Sequence, residues 1–114
     1  MTPKEFVAHL KADVVDENVA AYRDLFASTS VGDASDPYWK RAQTLFDSFS
    51  PDQKSIFFEI IRQISVDTVS NVLGIVDVVN TFPGVAAEFE LVCDSQQKLS
   101  GDLQSLFLEE EERA

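Results

Sequence analysis

The chain has 114 residues, 45% of them hydrophobic, a net charge of −11 at pH 7 and a single cysteine. That length and apolar content suit one domain with its own core, needing neither disulfides nor a metal to hold it. The charge argues against a nucleic-acid binder and against adsorption to anionic lipid, since both need a basic surface. No run approaches the roughly 20 apolar residues that span a bilayer, and the amino terminus lacks the apolar block of a secretory signal. One cysteine allows no internal disulfide, so a reducing cytoplasm is the expected compartment. The charge is uneven: residues 1–62 hold seven Lys or Arg against ten Asp or Glu, and residues 63–114 hold two against ten.

Thr2, Pro3 and Glu5 form a helix start, with Thr2 as cap and Pro3 at the first helical position. Phe6, Val7, Leu10, Val14, Val15, Val19, Tyr22, Leu25 and Phe26 then recur at helical spacing, which predicts one helix over 3–27 with a bend near Val15. Residues 28–36 have the composition of a loop. Asp36 and Pro37 open a second helix, 37–49, whose inner face reads Trp39, Ala42, Leu45, Phe46 and Phe49. The short junction to Ser50 sets this helix against the next one.

Ser50 to Phe82 is the longest and most apolar stretch. Ser50, Pro51 and Gln53 make a capping box with proline at the first helical position. At about 100° per residue, Phe57, Ile61, Ile64, Thr68, Val72, Ile75, Val79 and Phe82 fall on one side, joined by Phe58, Val69 and Val76. A narrow polar arc carries Asp52, Glu59, Gln63, Asp67, Ser70, Gly74, Asp77 and Thr81. A helix apolar around most of its circumference is covered by neighbours on several sides. It is therefore expected to be central, over 51–82, with Ile64 and Val72 buried so that Asp at either would unfold the domain. Its β-branched second half weakens a helix and marks Gly74 to Asp77 as the place for any bend or stop. The polar arc stays in phase past Gly74, and on that ground the helix is carried to Phe82.

Pro83-Gly84 ends the helix. Phe89, Leu91 and Cys93 alternate with Glu88, Glu90 and Asp94, the period of a half-buried strand, and a hairpin over 88–100 follows. Ser100 as cap, with Leu103, Leu106 and Phe107, predicts a last helix over 102–111 and an acidic, frayed tail over 109–114, where the macrodipole disfavours glutamates. The fold expected is mainly α, a small helical bundle around one long central helix with a short β-hairpin near the carboxyl terminus.

Chemistry-bearing residues are scarce. His9 is the sole histidine and Cys93 the sole thiol, and nothing in the sequence brings them together. Metal-ligand spacing and phosphate-cradling glycine loops are absent, Asp33 and Asp36 included. The chain is expected not to be an enzyme and to use no cofactor or metal. The charge instead suits a binding or inhibitory protein for a basic protein partner, of the immunity type or the anti-nuclease, DNA-mimic type. Its contact residues would be Asp77, Glu88, Glu90, Asp94 and Asp102. Secondary candidates are Tyr38 and Trp39, beside Lys40 and Arg41, and Asp67, in line with Gln63 and Asn71. The bland alternatives are that Trp39 packs in the core with Lys40 and Arg41 paired to acids, and that the Asp67 line is a solvated face. An adaptor-type homodimer, joined through apolar faces the chain cannot cover by itself, is the second functional class.

Overall fold

The computed structural model describes residues 1–29, 32 and 36–113. Most of the loop expected over 28–36, with Asp33, lies outside the described residues, as does Ala114. The fold is mainly α, 68% helical, with a small antiparallel hairpin near the carboxyl terminus. In chain order come α1 (Pro3–Leu10), a π-helical segment (Lys11–Asp16), α2 (Glu17–Ser28), α3 (Pro37–Asp47), α4 (Pro51–Val76), β1 (Val92–Cys93), β2 (Gln97–Lys98) and α5 (Leu103–Glu112).

The Thr2 hydroxyl accepts from the Glu5 amide at 3.1 Å, so the first helix starts where its local chemistry places it. Around Val15, where a bend is expected, the chain is π-helical, and the helix continues through this segment without a break. A π stretch closes i to i+5 and turns less per residue than an α-helix. Val7 and Val15, eight apart and out of phase on a pure α-helix, thereby both enter the same core.

In α3 the Asp36 carboxylate accepts from the Tyr38 amide at 2.8 Å. The helix ends at Asp47 rather than Phe49, and its inner face differs from the expected one: Leu45 is exposed and Gln43 is buried. The Gln43 amide nitrogen donates to the Phe26 carbonyl at 3.2 Å and to Asp47 at 3.0 Å. A carbonyl in the last turn of α2 has no partner within its own helix, and the buried glutamine supplies one. Phe46 stacks on Phe26 with ring centroids 4.7 Å apart, and Phe57, Phe58 and Trp39 close around them.

The start of α4 carries both halves of the capping box, at 2.9 and 3.2 Å. Its end is Val76, six residues short of the expected Phe82. The Gly74 carbonyl accepts from Val79, and the Ile75 carbonyl from Val78, which together make a Schellman motif. Valine stands where that motif favours glycine, and Val78 takes a φ of 61°. A β-branched residue in the left-handed region is strained. Val78→Gly should therefore raise stability by about 1 kcal/mol, read as a higher urea midpoint at unchanged slope. A lower midpoint would show that the valine side chain contributes more than its backbone strain takes away.

The hairpin is shorter than its alternation suggests, two residues in each strand, with Val92 opposite Lys98 and Cys93 opposite Gln97. Asp94 and Ser95 both take positive φ at the turn, the requirement of a type I′ geometry. Leu91 and Cys93 are half-buried, but Phe89 is exposed, edge-on to Phe82. Ser100 does not cap α5: its hydroxyl accepts from the Leu91 amide at 2.9 Å and ties the base of the hairpin. The cap comes from Asp77, whose two oxygens accept from the Gly101 and Gln104 amides at 2.7 and 2.8 Å.

Two apolar clusters result, joined by α4. One gathers Val7, Val15, Val66, Leu73, Leu103 and Phe107; the other gathers Phe26, Phe46 and Phe58. The molecule is elongated, 51 × 34 × 25 Å, with a radius of gyration of 17.8 Å. A compact domain of this length would have about 13 Å.

Candidate docking surface

The face of α4 turned to the core is only partly the one its periodicity suggests: Phe57, Phe58, Ile61, Val69 and Val76 pack against the two clusters, but Ile64, Thr68 and Val72 face out. Ser70, Leu73 and Gly74 are buried, whereas Ile56, Ile60, Ile64 and Val72 are 52%, 53%, 59% and 54% exposed. The reason lies in α5. The Gln104 side chain donates to the Ser70 carbonyl at 3.0 Å, and a Cβ on Gly74 would meet Gln104 and Asn80 side-chain nitrogens. Small residues in the polar arc let α5 approach closely there, and the isoleucine side faces out. Ile64 and Val72 thus leave the buried set, and Asp at either would not open the core.

The isoleucines stand four apart and, with Thr68 and Val72, form one continuous i, i+4 ridge. The Thr68 hydroxyl donates to the Ile64 carbonyl at 2.7 Å, so it is satisfied within the helix. Gln63, Asp67 and Asn71 lie beside the ridge, exposed, with Gln63 donating to Asp67 at 2.9 Å. Near the amino end of the ridge, Phe57 and Ile61 line a groove of about 410 Å³ shared with Tyr22, Trp39 and Leu45. Trp39 is half-buried there, 5.9 Å from Phe26 and 5.4 Å from Tyr38, while Tyr38 itself is exposed. Lys40 and Arg41, expected to pair with acids, are in no ion pair among the described residues.

Some carboxylates are engaged within the fold, while Glu17, Asp24, Asp52, Glu59 and Glu112 are exposed and in no ion pair among the described residues. Asp77 is a helix cap, with each of its oxygens accepting one backbone amide. Asp16 and Glu111 are held by Arg62, whose guanidinium donates to Asp16 at 2.7 Å and to both oxygens of Glu111 at 2.9 Å. Hydrogen bonding to Asp16, and then to Glu111, holds the Arg62 pKa above its ordinary value. This bridge ties α4 to the π-helical segment and to α5. It fixes a glutamate placed by sequence in a frayed tail, and α5 is helical to Glu112. Glu88, Glu90, Asp94 and Asp102 are exposed and in no ion pair among the described residues. Glu90 adjoins Leu91 and Asp102 lies two residues past Ser100, so the Leu91 to Ser100 hydrogen bond brings these two acids to one end of the hairpin.

His9 contacts Asp13 at 3.3 Å and the Cys93 thiol donates to Asp94 at 3.7 Å, so the structure gives each its own neighbour. Among the described residues no group of three His, Cys, Asp or Glu is arranged to hold a metal ion, and no helix is long and apolar enough to cross a membrane. Comparison with protein-family models, curated proteins and solved structures gives no match to this chain.

Proposed function

We propose that the protein is a small, non-catalytic acidic binding protein that engages a basic protein partner in the cytoplasm, as an immunity-type or DNA-mimic inhibitor would. The observation that carries this reading is the acidic end of the hairpin. Glu90 and Asp102 are brought together there by the Leu91 to Ser100 hydrogen bond, and with Glu88 and Asp94 they are exposed without an internal cation among the described residues. Such groups raise the encounter rate with a basic surface and pair with its Lys or Arg. Asp77, which caps α5, is left out of the proposed contact set.

A pull-down from the native source at low and high salt tests the reading. With a partner in hand, neutralising the four acids as Gln or Asn should slow association by about tenfold or more at low salt and flatten its salt dependence. An unchanged rate and slope in the variant would remove the acidic end from the interface.

A second reading, a homodimer, is favoured by a separate observation: the isoleucine ridge of α4 is exposed, without cover from the other described residues.

A further inference from the structure

We propose that the groove beside Trp39 is a site for a small aromatic anion, its ring against Tyr22, Trp39 and Phe57 and its acid group on Arg41 and Lys40. The groove belongs to the cluster around Phe26, whereas the acidic hairpin packs through Leu91 on the other cluster, so the proposal does not depend on the basic-partner reading.

Shape supplies the first argument. The groove, of about 410 Å³, falls within the roughly 300–1,000 Å³ of small-ligand pockets. It adjoins a second hollow of about 480 Å³, since Arg41 and Leu45 line both. The Trp39 ring lies 6.3 Å from Tyr22 and 5.4 Å from Tyr38 between centroids, and both tyrosines are exposed. A planar ring laid on this wall covers aromatic surface that the described residues leave to water.

Charge supplies the second. The chain has 20 acids against nine bases, yet among the described residues no Asp or Glu lines either hollow, while Lys40 and Arg41 do. Asp24 is two residues from both Tyr22 and Phe26, and Glu59 is two from both Phe57 and Ile61, which turns each about 200° round its helix from the groove. In α3, Asp36 accepts from the Tyr38 amide and Asp47 from the Gln43 side chain. A cationic ligand, which aromatic walls also suit, would meet two positive charges here.

The third argument is which cations are free. Arg23 and Lys54 lie over the Phe58 and Phe46 rings at 4.6 and 4.9 Å, and Arg62 is held by Asp16 and Glu111. Lys40 and Arg41 have neither an ion pair nor an aromatic face among the described residues. The Thr44 and Ser48 hydroxyls already donate to the Lys40 and Leu45 carbonyls. The two cations are therefore what the second hollow presents to an oxyanion, and a guanidinium can take both oxygens of a carboxylate.

The test titrates the full chain with naphthoate and with phenyl phosphate, following backbone amide and Trp39 indole shifts by NMR. Naphthamide is the control without charge and acetate the control without a ring. The aromatic anions should saturate with a Kd below about 1 mM, and the shifts should centre on Tyr22, Tyr38 to Leu45 and Phe57. Acetate should not saturate in that range. Arg41→Gln should raise the naphthoate Kd about tenfold, the loss of a charge-assisted hydrogen bond, and leave the naphthamide Kd as it was. Arg41 is exposed, so the variant should keep the parental urea midpoint. No saturation with either aromatic anion overturns the site. Shifts centred on Phe82 and Phe89 or on the isoleucine ridge overturn its location. Equal Kd values for naphthoate and naphthamide, unmoved by Arg41→Gln, overturn the role of the two cations.

Discussion

Phe107→Ala should destabilise the protein by about 3–5 kcal/mol, the range for removing a buried aromatic ring and leaving a cavity. Phe107 and Leu103 have no exposed surface, and they pack with Val7, Val15, Val66 and Leu73, residues from α1, the π-helical segment and α4. Small domains have only about 5–15 kcal/mol of stability in total, so the variant should melt far below the parent in circular dichroism. The single tryptophan adds a second readout. Trp39 lies in the other apolar cluster, against Phe26. If α4 couples the two clusters into one cooperative unit, Trp39 fluorescence and ellipticity will report the same midpoint in the variant. Fluorescence that stays native while ellipticity falls would show that the aromatic end unfolds by itself. Stability within about 1 kcal/mol of the parent would mean that Phe107 is not the core residue the packing makes it.

Asp77→Ala should destabilise by about 2 kcal/mol, because it removes the acceptor of two backbone amides at the start of α5. The helix dipole adds to the preference for a carboxylate at that end. Asp77→Asn should fall between, since one carbonyl oxygen cannot serve both amides as two carboxylate oxygens do. Urea denaturation measures both variants. The same pair separates structure from recognition: with a basic partner, Asp77→Asn should associate at the parental rate. A slowed association at unchanged stability would return Asp77 to the contact surface.

Asp77 also shows where sequence reading stops. Its place in the polar arc of α4 was legible, and so was its separation from the apolar face. What it binds was not, because its partners are 24 and 27 residues away and no local rule connects them. Ser100 shows the converse: it has the chemistry of a helix cap, and a tertiary contact with Leu91 claims it first. Arg62, Asp16 and Glu111 carry no pattern in the sequence that would join them. In the candidate surface, Tyr38 and Trp39 are neighbours in sequence and in space, while Ile64, Thr68 and Val72 belong to the face that the periodicity assigns to the core and the structure exposes.

The sequence by itself determined the mainly helical class, the starts of α1, α3 and α4, and the neighbourhood of the hairpin. Each of those depends on groups within a few residues of one another: Thr2 with Glu5, Asp36 with Tyr38, Ser50 with Gln53, and the alternation around Leu91. Only the tertiary structure decided which side of α4 is buried, where α4 ends and what caps α5. A helix apolar around most of its circumference has no intrinsic preference for one side, so its neighbours choose. Here α5 chose the side with Ser70 and Gly74, where small side chains admit it most closely. The isoleucines were left for solvent or for another chain.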